Sequence, residues 1–250
     1  MPDGLDAIDV NIMPAMDVYK SGYLKMKKII ELATYDHRTN SVSKKTNSKD
    51  VLGPGQNYVL LAVYMKGEDV KIESPSLKVK SWIYPSEGLL LRRDTQVFTA
   101  DGKQAACVIT YFIPFDVEKR KSFHPSDEQK KQYYSRLKVI GESAGGTPRS
   151  RPIFEMQNPI FCERRKVRDS ELDYMGHLNS CVYFSYIFDV LTEEERNKVL
   201  DESVMSYKRE LLRNDEVCIY KEVLAGAIIV EGRLPDTEEV SFTCEIKLQN

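Results

Sequence analysis

Two acids and a histidine in this chain have side chains suited to acid–base chemistry. Asp173 and His177 stand four residues apart in the stretch LDYMGHLNSCVYFSYIFD, and Glu210 follows in the motif YKRE. Carboxylates and imidazoles are common general acids and bases in hydrolytic enzymes. Gly176 permits close approach of the backbone to a ligand, and free N–H groups at the start of a helix can polarise a carbonyl group. The pattern is therefore a candidate for a site that activates water.

The same residues also fit a purely structural role. Asp173 is of a type common in turns, Asn179 or Ser180 suits the N-cap of a helix, and a glutamate on a strand is usually solvated. Taken one at a time, each residue is more often structural than catalytic. The conjunction of several of them in one order is what favours catalysis.

The elements around this set predict a turn that leads into a buried helix. Residues 179–190 are apolar almost all round, and Thr192 with Glu195 forms a capping box for a second short helix. Strand-like runs follow in the order VMSYKREL, EVCIYKEV, AGAIIVEGR and EVSFTCEIKL. The last run alternates apolar and polar residues with period two, so we expect a strand with one face in water.

The first half of the chain repeats this order. We expect a helix over residues 18–37, then a polar loop over 38–57 that could act as a lid. The strand-like runs NYVLLAVYM, PSLKVKSWIY, GLLLRRDTQVFTA and QAACVITYFIPF come next. The segment VYKSGYL, which begins at residue 18, can be aligned with LDYMGHL, which begins 154 positions later at residue 172. This alignment matches one glycine and one leucine. We therefore predict two tandem α+β units, each an antiparallel sheet around one apolar helix.

A charged and then Gly/Ser/Pro-rich region connects the two halves. Within residues 117–151, Ser126 and Gln129 form a capping box for a short helix that Gly141 could end. We expect an N-terminal unit over residues 1–120, a linker with a short helix over 121–151, and a C-terminal unit over 152–250.

Composition argues against several classes of function. The 250 residues carry a formal charge of -2, so the chain lacks the basic surplus of a nucleic-acid-binding protein. The first eighteen residues hold four aspartates and no Lys or Arg, unlike a secretory or organellar leader, and no apolar run approaches the ~20 residues of a membrane helix. Five dispersed cysteines in apolar surroundings fit a reducing compartment, so we expect a cytoplasmic protein. With three histidines, we expect no metal and no other cofactor.

Motifs in both halves of the chain resemble those of the acyl-acyl-carrier-protein (acyl-ACP) thioesterases of bacteria and plastids. LDYMGHLN is similar to their D-x-N-x-H-x-N-N box, and SYKRELLRND to their YRRECxxD strand. The run LKVKSWIYPSEGLLLRRDTQVFTADGKQAACVITYFIPFDVEKRK resembles their T-W, F-x-R-D, D-x-x-G and D-x-x-x-R segments. The resemblance covers about residues 8–248. It implies a tandem double hotdog of the α+β class, in which each unit is a long central helix wrapped by an antiparallel sheet. It also implies hydrolysis of an acyl thioester in fatty acid and lipid metabolism.

Carried over residue by residue, the family's catalytic Asp, His and Glu fall on Asp173, His177 and Glu210. Its catalytic Asn falls on Met175, whose thioether cannot donate a hydrogen bond, and Leu211 replaces the cysteine beside the glutamate. We interpret Glu210 as general base or nucleophile and His177 as its orienting partner or proton shuttle. Asp173 is then the group that fixes the imidazole.

The residues themselves also suggest where the oxyanion and the acyl chain bind. The oxyanion donors are expected at the helix start, in Gly176, Leu178 and Asn179. The first copy of the turn has no acid–base set, so we expect that half to form the acyl pocket, with plain core packing as the alternative. The candidate substrate-binding residues are Met26, Ile30, Trp82 and Met175.

Two other functions and several partners stay open. A hotdog hydratase or dehydratase is one rival, although its D-x-N-x-x-H motif is spaced differently. A catalytically silent protein that binds an acyl chain or a carrier protein is the other, and Met175 is the best argument for it. The expected partner is an acidic acyl carrier protein or acyl-CoA, met by basic runs at 119–121, 130–131 or 164–166. An internal pair of hotdogs could remain a monomer or form a homodimer. The acyl chain is not specified.

Overall fold

Antiparallel strands dominate the computed structural model, which describes residues 7–35, 52–85, 90–135, 141–145, 148–173 and 175–249. The first-half elements are β1 (Ile8–Asn11), α1 (Pro14–Asp17), α2 (Met26–Tyr35), β2 (Gln56–Gly67), β3 (Ser76–Tyr84), β4 (Leu91–Thr99), β5 (Gln104–Asp116), β6 (Lys121–Ser122) and α3 (Asp127–Tyr134). The second-half elements are β7 (Ile160–Lys166), a 3₁₀ turn (Asp169–Glu171), α4 (Tyr183–Val190), α5 (Glu193–Asn197), β8 (Leu200–Tyr207), β9 (Glu216–Leu224), β10 (Ala227–Arg233) and β11 (Val240–Leu248).

The strands form one sheet that contains the same arrangement twice. Its order is β1-β3-β4-β5-β2-β8-β11-β10-β9-β7, with β6 paired to β5 beside this path. Each half therefore places its four main strands in the same sequence outward from the middle, with a leading strand added at the outer edge. The halves join where β2 pairs antiparallel with β8, from Ala62↔Ser206 to Met65↔Ser203. The predicted repetition of helix and four strands is present, while the exact unit boundaries remain a prediction.

The two copies of the polar turn have the same backbone hydrogen bonds. Tyr19 N donates to Tyr23 O at 2.8 Å, and Asp173 N donates to His177 O at 2.8 Å. The glycine of each turn is left-handed, with φ of 95° at Gly22 and 82° at Gly176. A bridge closes each turn, Val18↔Leu24 in one and Leu172↔Leu178 in the other. Residues 154 positions apart in the two halves thus form turns with the same backbone hydrogen bonds.

Both central helices begin later than their apolar patterns suggest. The first was expected from residue 18 and starts at Met26, because residues 18–24 close the turn instead. The second was expected from Asn179 and starts at Tyr183, because Asn179 Oδ1 and O bind the N–H groups of the next residues in a turn. Both helices pack on one face of the sheet in a single apolar core, contributed by Ile29, Ile30, Ala33, Phe184 and Ile187 among others.

The opposite face of the sheet is covered by residues 141–145 and 148–158 of the connection between the halves, which we call the strap. Carboxylates on three strands accept hydrogen bonds from strap N–H groups. These bonds are Ala144 N to Asp94 Oδ2 at 2.8 Å, Ile153 N to Glu245 Oε2 at 2.7 Å, and Gln157 N to Glu222 Oε2 at 2.7 Å. The expectation that β11 has one face in water is therefore wrong, because the strap buries the side chain of Glu245 completely.

Several smaller predictions can also be compared with the structure. Both capping boxes form, with Ser126 and Gln129 bonded reciprocally before α3 and Thr192 with Glu195 before α5. Most of the expected lid at 38–57 falls outside the described residues. The helix that was expected to end near Gly141 ends earlier, at Tyr134. All five cysteines are free, and Cys162 is exposed rather than buried. None of the helices in the described ranges is long and apolar enough to cross a membrane.

Candidate active site

The second copy of the turn is held rigid by the carboxylate of Asp173. Its Oδ1 accepts hydrogen bonds from Met175 N at 2.8 Å and from His177 N at 3.1 Å. A short acid that binds N–H groups two and four residues ahead is a common means of fixing a turn. Asp173 therefore orients His177 through the backbone, whereas the sequence led us to expect a contact with the imidazole ring.

Glu210 lies beside the imidazole of His177. The distance from His177 Nε2 to Glu210 Oε2 is 3.4 Å, and the two side chains are 28% and 27% exposed. Backbone pairing explains this proximity, because Leu178 N donates to Leu211 O at 2.7 Å and His177 forms a bridge with Leu212. The turn is thus joined directly to the chain that follows β8. The structure brings together the histidine and the glutamate that the sequence placed thirty-three positions apart.

A further group in contact with Glu210, a guanidinium, comes from the first half of the chain. The guanidinium of Arg120 donates from Nη2 to Glu210 Oε1, so the two oxygens of one carboxylate contact a histidine and an arginine from different halves. Sequence reasoning treated Arg120 only as part of a basic run. The D-x-x-x-R segment, which it had compared with the thioesterases, was the signal that could have identified this residue.

The hairpin between β5 and β6 presents Arg120. Asp116 Oδ1 accepts a hydrogen bond from Lys119 N at 2.9 Å, and Asp116 Oδ2 lies 3.1 Å from Lys119 Nζ. The backbone N–H of Lys119, followed by its ammonium group, lowers the pKa of Asp116. Val117 N donates to Gly55 O at 2.8 Å, which ties the turn to the chain before β2. Arg120 itself has a left-handed φ of 50°, a conformation unusual for this residue type.

The N–H groups expected to bind the oxyanion are already occupied. We expected free donors at Gly176, Leu178 and Asn179, but each donates to a backbone carbonyl within the protein. Their acceptors are Asp173 O at 3.0 Å, Leu211 O at 2.7 Å and Glu171 O at 2.9 Å, respectively. The premise of free N–H groups was wrong because the helix starts at Tyr183 and the residues before it form a bonded turn.

The candidate substrate-binding residues do not form one group. Met26 and Ile30 are buried in the main core on the helix side of the sheet, and Met175 is 37% exposed beside the candidate site. Trp82 is fully buried on the other side, where its Nε1 donates to Glu142 O of the strap at 2.9 Å. Successive strand residues face opposite sides, and the nearby Val79 belongs to the helix-side core. The expectation that Trp82 and Ile30 line one tunnel is therefore wrong.

The first copy of the turn packs against the second half of the chain through an aromatic ring. Tyr19 stacks on Phe188 of α4 with ring centroids 5.3 Å apart, and Arg196 lies 4.5 Å from the same ring. Tyr23, at the position aligned with His177, donates its hydroxyl to Asp69 at 2.7 Å. A cleft of about 380 Å³ opens beside these stacked rings, lined in part by Ala15, Val18, Lys20, Lys25 and Glu193.

Solved structures of known proteins share this architecture. The tandem double hotdog is the fold of an acyl-ACP thioesterase from Bacteroides thetaiotaomicron, with a TM-score of 0.77, 18% identity and 98% of each chain covered. The 12:0-ACP thioesterase from Umbellularia californica gives a TM-score of 0.79 at 13% identity, covering 98% of this chain and 97% of the other. These likenesses confirm the predicted fold.

A family model matches part of the second half of the chain. Residues 156–250 match the family model of the acyl-ACP thioesterase C-terminal domain. This region contains the polar turn, α4 and the chain around Glu210. No curated protein sequence matches the chain.

Proposed function

We propose that this protein hydrolyses acyl-ACP, with acyl-CoA as the alternative substrate, to a free acid and a thiol. The observation that carries the proposal is the contact of Glu210 with His177 in the half that matches the thioesterase model. Their side chains are about three-quarters buried yet reachable from solvent. This exposure suits a base that must meet both water and a thioester.

The proposed reaction uses Glu210 as the general base. Glu210 takes a proton from water as the water oxygen bonds to the thioester carbon, and the carbonyl π electrons move to oxygen. When the carbonyl reforms, the C–S bond breaks and the electron pair leaves with sulfur. His177 Nε2 passes the proton from Glu210 to the thiolate, which balances the hydrolysis. Asp173 keeps the ring of His177 in place by holding the backbone of its turn.

Carrier-protein recognition is the finer part of the proposal. In the run 164–166, Arg164 pairs with Glu216, and Arg165 pairs with Glu163 and Asp189, so much of its charge is neutralised locally. The run 119–121 lies beside the site through Arg120, which favours it as the surface that an acidic carrier protein meets. We further propose a role in fatty acid biosynthesis in the cytoplasm, as a monomer or homodimer. The five free cysteines fit that compartment.

A silent acyl-binding protein is the main rival, because Met175 cannot donate a hydrogen bond where the resemblance implies an asparagine. Release of free thiol from a panel of acyl-ACP and acyl-CoA substrates distinguishes the two. We expect thiol and free acid in equal amounts from at least one substrate. Binding of an acyl chain without thiol release would contradict the proposal. The variant Met175→Asn is the companion measurement, and a gain in rate would show a working site with altered geometry.

A further inference from the structure

The candidate active site needs a donor for the oxyanion, and the expected backbone donors are bonded elsewhere. Attack on a thioester carbonyl places a negative charge on its oxygen, and removal of one donor from such a site typically costs 10²–10³-fold in rate. Gly176 N, Leu178 N and Asn179 N each bind a carbonyl group of the protein, and Met175 N binds Asp173 Oδ1. The turn that carries His177 therefore does not offer these N–H groups to a substrate.

We propose that Arg120 supplies this donor, so that a side chain from the first half stabilises the oxyanion formed at a site in the second half. The inference rests on the hydrolysis proposed above. One N–H of the guanidinium binds Glu210 Oε1, and an arginine has five such donors, so others remain to be shared with a ligand. The side chain is 65% exposed, so a substrate can reach it.

The placement of Arg120 matches the geometry that the reaction requires. A water activated by Glu210 lies about 3 Å from the carboxylate, and the carbonyl carbon lies about the same distance beyond that water. A guanidinium bonded to the other carboxylate oxygen is adjacent to that position. As the C–O bond forms, the carbonyl oxygen gains the π electron pair and accepts hydrogen bonds from Arg120. No proton leaves Arg120, and the charge disappears when the C–S bond breaks.

The hairpin that carries Arg120 has the features of a positioning device. Asp116 binds both the backbone N–H and the ammonium of Lys119, and β6 pairs back on β5 at Asp116↔Lys121. Arg120 occupies the left-handed position of this turn, with φ of 50°. That conformation is unfavourable for an arginine and is retained here where it brings the guanidinium to Glu210.

The test compares Arg120→Ala, Arg120→Lys and the control Lys103→Ala, which removes an exposed charge at the β4–β5 turn of the same half. Thiol release is measured with a short acyl thioester of N-acetylcysteamine, which has no carrier protein to dock, and with acyl-ACP. We expect Arg120→Ala to lower kcat by about 10²–10³-fold with little change in KM. We expect Arg120→Lys to keep part of the rate, and added guanidinium to restore part of it to Arg120→Ala. Lys103→Ala should keep wild-type kcat.

Distinct outcomes would overturn the inference. Wild-type kcat in Arg120→Ala, a loss confined to KM, or an equal loss in Lys103→Ala would each contradict a role at the oxyanion. The last result would point instead to general attraction of a charged substrate. Wild-type protein that releases no thiol from any substrate would refute the proposed hydrolysis itself, so the two failures are separate. Unchanged circular dichroism and melting temperature establish that each variant is folded.

Discussion

Removal of the Glu245 carboxylate should destabilise the protein by releasing the strap from the sheet. The side chain is completely buried and accepts hydrogen bonds from Ile153 N at 2.7 Å, Phe154 N at 3.4 Å and Arg149 Nη2 at 2.8 Å. In Glu245→Ala the two N–H groups lose their acceptor. Arg149 keeps its contact with Glu202, so its charge is not left alone. The loss is therefore smaller than for a completely broken ion pair.

We estimate the cost of Glu245→Ala at about 3 kcal/mol. A buried donor left without a partner costs ~1–3 kcal/mol, and loss of one member of a buried ion pair costs ~3–5 kcal/mol. The free energy of unfolding is measured by urea denaturation at pH 7. Glu194→Ala is the control, because that side chain is 81% exposed and its ion pair is with Lys198 at the C-cap of the same helix, so we expect a change below about 0.5 kcal/mol. If Glu245→Ala lowers the free energy of unfolding by less than about 1 kcal/mol, Glu245 does not hold the strap to the sheet.

Other changes have equally definite outcomes. Burial raises the pKa of Glu245, but the hydrogen bonds it accepts prevail and the net pKa is lowered. Its stabilisation is therefore present above the unfolded-state value of about 4.3 and lost as pH falls through the folded value, so the urea midpoint of wild type should drop below pH 4 more steeply than that of Glu245→Ala. Gly232→Ala would place a Cβ 2.1 Å from the Phe242 ring and should cost ~1–3 kcal/mol, whereas Gly141→Ala, with nothing within 4 Å, should be near neutral in the same assay. Thr192→Ala removes the N-cap of α5 and should cost ~1 kcal/mol in thermal unfolding; no change would show that the cap is dispensable.

Much of the fold follows from local sequence pattern. Alternation and turn residues identified the strands β2 to β5 and β8 to β11, because side chains on a strand must suit two different faces. However, β8 ends at Tyr207, so Glu210, which was expected on this strand, lies in the chain that follows it. The match of VYKSGYL with LDYMGHL identified a repeated turn, since both glycines take a left-handed conformation that few other residues adopt.

The errors come from contacts between residues distant in sequence. Trp82 was expected beside the central helix, and Glu245 was expected in water, yet both lie under the strap. Nothing in the alternation of a strand tells which face a linker will cover. The helix starts were misplaced for a related reason, because tertiary pairing of Leu178 with Leu211 stabilises a turn where apolar periodicity alone favours a helix.

The residues of the candidate site were likewise predicted only in part. Asp173, His177 and Glu210 were named from residue type and resemblance, and the structure places His177 and Glu210 in contact. Arg120 was missed as a member because its contact with Glu210 joins residues ninety positions apart. The occupied N–H groups of the turn were equally invisible, since hydrogen-bond partners depend on the folded backbone.

The rate of thiol release by Glu210→Gln tests the central claim most directly. The substitution keeps the size of the side chain and removes its ability to take a proton, so we expect kcat to fall by about 10²–10⁴-fold. Glu216→Gln is the matched control, because it changes an exposed glutamate that pairs with Arg164, and it should keep the wild-type rate. Wild-type kcat in Glu210→Gln would contradict hydrolysis at this site.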